Sequence, residues 1–420
     1  MTTSLDHVPL DSTREDAVRR NTVLLAVAQG LTYASAPVLI AVGVVAAAEL
    51  GGRESAAGLL IAVYFVSAAL GAFVVGRWMD RVGRRPGLLV GHVLIGLGGV
   101  MAALVTGAGS LVGLLGSSVL FGAGAGAALL GRGAVADMYP PTRRGRAVGM
   151  MLAASTVGAV GAAPLVAAVQ AFAASHGWDR LVLPWLLVPA FEVAALGCVA
   201  AIRPDPRDLA VATDEPTGRA RSRRELLSIS PFRVAIVSGA IGQAAMVSVM
   251  GVAPIVVHDH GHGDLAVSGV LSAHFLGMFA LMPAVGAALD RWGRKRGLVA
   301  AAVVSAIGAP AGALGSAPVV TGLGLFLVGL GWAGAYLGST TVVSDVTGRS
   351  ERASALGLLD LIVSASSAVG ALMGGMLLEA GGFSILTLVV ATLFLPVLAL
   401  VLPLREPAPG RWSSAVAAPA

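Results

Sequence analysis

The sequence predicts an all-α membrane protein with twelve transmembrane helices in two pseudo-symmetric six-helix bundles. Three observations lead there. Of 420 residues 56% are hydrophobic and only 12% charged, where soluble chains carry about a quarter charged residues. Apolar blocks recur from Val23 to Leu404, and at roughly 20 residues per crossing the length accommodates about twelve. A cytoplasmic-type loop motif also repeats half a chain apart. The blocks are continuous Ala/Val/Leu/Gly runs rather than short alternating stretches, which disfavours a β-barrel.

The twelve segments are 22–48, 55–76, 87–107, 111–138, 147–172, 181–202, 233–257, 265–287, 297–315, 317–344, 354–378 and 383–403. The 56 glycines suit them, because membrane helices pack through small residues. Orientation follows from the basic residues. Of 28 Lys and Arg, 25 fall on one side: the N-terminal tail, Arg77 to Arg85, Arg143 to Arg146, Arg203 to Arg233, Arg291 to Arg296, Arg349 to Arg352 and the C-terminal tail. Arg53 and Arg180 lie opposite, and Arg132 sits near the end of its own span. The positive-inside rule therefore puts both termini in the cytoplasm. It also accounts for the net charge of +5 without nucleic acid.

The organisation that results is a cytoplasmic tail at 1–21, a bundle at 22–202, a cytoplasmic linker at 203–232, a second bundle at 233–404 and a tail at 405–420. The tail before the first span is polar and acidic, unlike a cleavable signal peptide. The single Cys198 excludes an internal disulfide and a Cys-built metal site. No phosphate-binding loop, paired His-Glu motif or sizeable soluble domain is present, so an enzyme or ATP-driven pump is not expected and no cofactor is implied. An Ala-, Gly- and Arg-rich chain with one lysine fits a high-GC bacterium, hence an inner membrane.

The loop motif reads Gly76-Arg-Trp-Met-Asp80-Arg81-Val-Gly83-Arg84-Arg85 and returns as Gly286-Ala-Ala-Leu-Asp290-Arg291-Trp-Gly293-Arg294-Lys295. A second pair follows, Asp137 before Arg143 to Arg146 and Asp345 before Arg349 to Arg352. Gly76 permits close helix contact, Gly83 a tight turn, and Asp80 accepts hydrogen bonds from arginines or a helix N-terminus. Duplicated halves suit alternating access about a midplane site.

On these residues the sequence resembles the major facilitator superfamily, from about Asn21 to Leu404. That resemblance implies a central cavity lined by helices one, four, seven and ten, and a latch stabilising the outward-facing state. The latch residues are Gly76, Asp80, Arg81, Gly83, Arg84 and Asp137, with Asp290, Arg291 and Asp345 in the weaker copy. Helix four carries a Gly122-Ala-Gly124-Ala-Gly126 stretch that resembles the family's glycine-rich stretch. The Arg that drug/proton antiporters hold four residues before it is Ser118 here. Helix five reads Ala163-Pro164-Leu165-Val166-Ala167-Ala168 in place of their Gly-Pro-x-x-Gly-Gly element.

Ionisable residues inside spans are functional candidates by default. Glu192, mid-span in helix six, either carries a proton or is paired at a helix contact. Asp360 in helix eleven, with Ser364 and Ser367 on its face, either exchanges protons, binds a cation, or belongs to the latch. His274 in helix eight is titratable or a packing residue. The His258-Asp-His260-Gly-His262-Gly-Asp264 stretch reads as a solvated external turn rather than a metal site. Cavity candidates are Gln29, Thr32 and Tyr33 in helix one, Ser118, Gln243, Met246 and Met250, Trp332 and Tyr336 in helix ten, and Ser364. Aromatic and methionine surfaces with a few amides suit amphipathic organic molecules.

The function expected is secondary active transport. Proton-coupled efflux of small amphipathic or cationic organic compounds is the first form; proton-coupled or facilitated uptake of a small neutral nutrient such as a sugar is the alternative. Expected partners are a small-molecule substrate, protons and the lipid bilayer, with the chain as a monomer.

Overall fold

The computed structural model describes residues 12–139, 141–211, 221–347 and 349–406. Every regular element among them is helical. Helix one runs over residues 12–51, helix two Ser55–Val82, helix three Arg84–Gly107, helix four Leu111–Asp137, helix five Pro141–Ser175 and helix six Leu183–Ala200. Helix seven is Ser230–Asp259, and helix eight Asp264–Ala280 continues as Met282–Trp292 after a 42° bend. Helix nine is Arg294–Ala311 and helix ten Pro318–Val346. Gly382, at φ 72° and ψ −178°, breaks the last stretch into helix eleven, residues 349–381, and helix twelve, residues 383–401.

Among the described residues nine helices are long and apolar enough to cross a bilayer, ten if the bent pair is one span. The break at Gly382 and the arginine-headed helix nine make this compatible with twelve crossings. Helix one differs most from the expected segment. It begins at Ser12, inside what the sequence reading placed in the tail, because Arg14, Arg19 and Arg20 extend the helix beyond its apolar run.

Local sequence explains the boundaries. Ser110 caps helix four by accepting a hydrogen bond from the Gly113 N–H at 3.1 Å, and Pro318 opens helix ten where its missing N–H costs nothing. The turns between helices two and three and between eight and nine pivot on Gly83 and Gly293, at φ 108° and 93°. A side chain is strained in that region. Helix one is interrupted at Ser35, just before Pro37, and continues through a wide turn at Leu39–Gly43. Helix eight has a similar wide segment at Leu276–Ala280 before its bend.

Lipid offers no hydrophobic drive between helices, so close backbone approach must supply the contact. Helix four shows this best. A Cβ on Gly122 would lie 2.3 Å from the Tyr64 carbonyl oxygen, one on Gly124 2.5 Å from that of Gly91, and one on Gly126 1.8 Å from that of Ala68. Helix four is thus wedged between two and three. Across the two bundles, helix two packs on eleven and helix five on eight. Apolar side chains such as Leu104, Val112 and Val157 are exposed at the bundle surface, where lipid would cover them.

Gly126→Val must therefore push helices two and four apart. We expect it to lower thermal stability in detergent by about 1–3 kcal/mol or more. Gly133→Ala, on the same helix with nothing within 4 Å of its added carbon, should match wild type. Fluorescence-detected thermal melts of both variants check this.

Candidate functional site

A row of aromatic rings links the two bundles. Tyr33 of helix one meets Phe279 of helix eight edge-on at 5.5 Å between ring centroids, and Phe279 meets Trp332 of helix ten at 5.9 Å. Trp332 stacks on Tyr336 at 5.3 Å and 16° between ring planes, as their i,i+4 spacing suggested. The Trp332 indole N–H donates to Gln243 Oε1 at 2.5 Å, and Gln243 Nε2 donates to Ser367 Oγ at 2.9 Å. The row ends in charge. Arg132 of helix four donates to the Tyr336 hydroxyl at 3.0 Å and to Asp360 Oδ2 at 2.7 Å.

Of the cavity candidates, Tyr33, Gln243, Trp332 and Tyr336 thus come together. Arg132, Phe279 and Ser367 join them from outside the set of candidates. The remaining candidates stand apart. The Ser118 hydroxyl is used on the Leu60 carbonyl, at 3.1 Å in the helix two–four contact. Met246 and Met250 are buried core residues, Gln29 is buried, and Ser364 is half-buried. Thr32 turns instead toward His92, with Oγ1 3.4 Å from Nδ1.

The titratable candidates separate as clearly. Asp360 is paired with Arg132, which makes it a tie between the bundles. His274 is fully buried and its Nδ1–H donates to the Leu325 carbonyl at 2.7 Å in the helix eight–ten contact, a packing role. Glu192 lies inside the N-terminal bundle, where its Oε2 is 2.7 Å from His92 Nδ1 of helix three and its Oε1 accepts from Ser35 Oγ at 3.3 Å. The side chains of His92 and Glu192 are 3% and 1% exposed.

The turns between helices two and three and between helices eight and nine repeat one design in each half. Arg84 donates to Asp137 Oδ2 through Nε and Nη2 at 3.2 and 3.1 Å, and Arg294 donates to Asp345 Oδ2 at 3.2 Å and to Asp290 Oδ1 at 2.7 Å. Two acids absent from the sequence reading complete it. Asp205 accepts the backbone N–H groups of Arg84 and Arg85 at 3.0 and 2.9 Å, and Glu406 those of Arg294 and Lys295 at 2.8 and 2.9 Å. Each caps the N-terminus of a helix whose first turn carries only positive charge. The cap also explains why the turn residues are glycine: a Cβ would lie 2.7 Å from Asp205 at Gly83 and 2.6 Å from Glu406 at Gly293. Gly76 faces Leu130, while Arg81 and Arg291 are exposed. The side chain of Asp80 lies outside the described residues.

On the opposite face Arg180 bridges the halves, donating to Asp264 Oδ1 at 3.0 Å and to Glu49 Oε1 at 3.3 Å. His258 Nε2 shares Asp264 Oδ1 at 2.9 Å, and the Ser55 N–H donates to Glu379 at 3.1 Å. Below them the backbones of helices two and eleven nearly touch, since a Cβ on Gly58 would lie 2.4 Å from the Ala371 carbonyl oxygen. The histidine-rich turn contributes to this ion-pair cluster. No group of three or more metal-ligating side chains occurs among the described residues.

Comparisons with known proteins agree with this architecture. The profile described as Major Facilitator Superfamily matches residues 22–263 and 235–419. The MFS-type transporter YddS of Bacillus subtilis is 30% identical over 376 residues, covering 85% of each chain. The riboflavin transporter RfnT of Brucella anthropi is 28% identical over 404 residues, covering 92% of this chain and 95% of its own. Among solved structures, the inward-facing, occupied bacterial homolog of the human lysosomal transporter Spinster superposes with a TM-score of 0.69 at 16% identity, over 95% of this chain and all of that one. The human organic anion transporter MFSD10 gives 0.64 at 17% identity, over 91% and 99%. A profile spanning both halves and relatives matched along most of their length lead to one conclusion: this chain is a multi-pass membrane transporter belonging to the major facilitator superfamily.

Proposed function

We propose that this transporter works by proton-coupled alternating access in a bacterial inner membrane, with both termini cytoplasmic, exporting small amphipathic organic compounds of planar aromatic character. The observation that carries the reading is the aromatic row from Tyr33 to Tyr336. Flat rings offer stacking surface with few obligatory polar partners, which suits amphipathic ring systems better than polyhydroxylated ones. Gln243, held between Trp332 and Ser367, supplies one oriented amide.

Alternating access requires ties at both ends that can break in turn. Arg180 with Asp264 and Glu49 serves the external end, and Arg132 with Asp360 and Tyr336 the cytoplasmic end. Both ties are partly exposed ion pairs, each worth about 1 kcal/mol or less. Such ties bias a conformational equilibrium without locking it. The duplicated Arg84–Asp137 and Arg294–Asp345 pairs act within each bundle, keeping it rigid as it rocks.

A second reading is uptake of a neutral nutrient, and the relative named a riboflavin transporter favours a planar heteroaromatic compound over a sugar in that role. Both readings share the aromatic row and differ in direction. Proteoliposomes of fixed orientation, loaded with riboflavin or ethidium on one side and carrying an imposed pH gradient, separate them.

Trp332→Ala removes both the stack on Tyr336 and the partner of Gln243. We expect transport of the accepted dye to fall on the order of tenfold, the loss of one base-type stacking contact of ~1–3 kcal/mol, with Trp332→Phe partly restoring it. Initial rates in proteoliposomes check this. Asp360→Asn, by removing a pair worth about 1 kcal/mol, should shift the open–closed balance at the cytoplasmic end about fivefold toward open. Spin-label distances between the cytoplasmic ends of helices four and eleven measure it.

A further inference from the structure

We propose that the proton-binding site of this transporter is the buried His92–Glu192 pair, and that it acts on transport through the break in helix one at Ser35. The proposal rests on the proton-coupled reading given above and assigns that reading a location.

Among the membrane-embedded acids described, Glu192 differs in kind from Asp360. Asp360 is held at 2.7 Å by the guanidinium of Arg132, whose charge does not change in the physiological range. Glu192 faces an imidazole, the side chain that changes charge near neutral pH. The 2.7 Å contact accommodates both states of the pair. With the carboxylate ionised, Nδ1–H donates to Oε2; with the carboxyl protonated, its O–H donates to Nδ1. One proton added changes the pair from a net charge of −1 to zero, whichever atom holds it. In a site this well shielded from solvent, that change alters every electrostatic interaction around it.

The groups facing the pair are few. Helix three contributes His92 and helix six Glu192 itself. From helix two Tyr64 lies within electrostatic reach of Glu192, and from helix one Tyr33 lies within reach of Tyr64. No arginine or acid is among the groups acting on Glu192. The link to transport is helix one. Ser35 donates to Glu192 Oε1 at 3.3 Å from the very residue where the helix is interrupted, and Thr32 reaches His92 one turn earlier. Tyr33, between them, begins the aromatic row. Ionised Glu192 strengthens the bond from Ser35 and holds the break as seen; protonation weakens that bond and frees helix one to pivot at the break that Pro37 keeps in place. The proton thereby moves the end of the substrate row without lying in it.

The test begins without substrate. Protons taken up by purified protein in unbuffered detergent solution are counted across a pH titration, for wild type, Glu192→Gln and His92→Gln. We expect Glu192→Gln to bind about one proton fewer, and infrared difference spectra of wild type to show a carboxylic acid band that this variant lacks. In proteoliposomes with riboflavin and ethidium, Glu192→Gln should lose gradient-driven accumulation about tenfold or more while riboflavin or ethidium counterflow falls less than about threefold. Ser35→Ala should keep the proton count and still lose accumulation. If wild type carries a dye without moving protons, the coupling reading itself fails and this assignment with it. If wild type moves protons and Glu192→Gln and His92→Gln move as many, only the assignment is overturned. Should Glu192→Gln prove unstable, the proton count and infrared band of His92→Gln decide, since an unshifted carboxyl titration there also overturns the pair.

Discussion

A polar group inside a bilayer has no water to fall back on, and this constraint governs the structure from its helices to its candidate site. It forces the backbone into helices, leaving no described strand. It removes the hydrophobic drive between those helices, so glycines bring backbones together instead, as Gly126 does against Ala68 and Gly58 against Ala371. It also requires each ionisable side chain in a span to find a partner on another helix. Glu192 finds His92 and Ser35, Asp360 finds Arg132, and His274 finds a carbonyl of helix ten. The sites worth studying are where that pairing crosses from one rigid body to another or reaches a helix break.

The linker follows the same division into bodies. Its first part, residues 203–211, is fastened to the N-terminal bundle: Asn21 donates to the Pro204 carbonyl at 3.0 Å, Asp205 caps helix three, and the Val211 N–H reaches the Asp137 carbonyl at 2.9 Å. Its last part is fastened to the C-terminal bundle, where Arg221 makes a forked contact with Glu351 and reaches the Val346 carbonyl at 2.8 Å. The stretch joining one body to the other is therefore shorter than the connection between spans implies.

Much of this was legible in the sequence, for a definite physical reason. Span length and the repeated loop motif are local properties, and they pointed to the helices and to Arg84, Asp137, Asp290 and Asp345; in the second copy Arg294, not the expected Arg291, makes the contacts. Aromatic spacing did as much for Trp332 and Tyr336, because i,i+4 on a helix is a statement about one face. What was not legible is tertiary proximity. His92 lies 100 residues from Glu192 in an unremarkable Gly-His-Val stretch, and nothing local marks it as the partner. Arg132 reads as one more arginine near the end of a span. Asp205 and Glu406 look like ordinary linker and tail acids, although each sits just after the last helix of its half, a repeat that comparison of the two halves would have revealed. Ser118 failed as a cavity residue because position on a helix does not say which neighbour that face meets.

The two polar ties in the membrane have different mechanical consequences. A tie between bundles, such as Arg132 with Asp360, opposes their separation, so its strength weighs on any equilibrium between two arrangements of the halves. A tie within a bundle, such as His92 with Glu192, survives the rocking and cannot gate by itself. It can act only through a helix that belongs to its own bundle and also touches the other half. Helix one is such a helix: interrupted at Ser35, widened at Leu39–Gly43, and bearing Tyr33 against Phe279 of the other half. On the reading proposed above, a pair that titrates behind that break, rather than in the aromatic row, would leave the row's rings free to stack against a flat substrate. On the same reading, a single charge shielded from water would reach the contact between the halves through Ser35 and Tyr33.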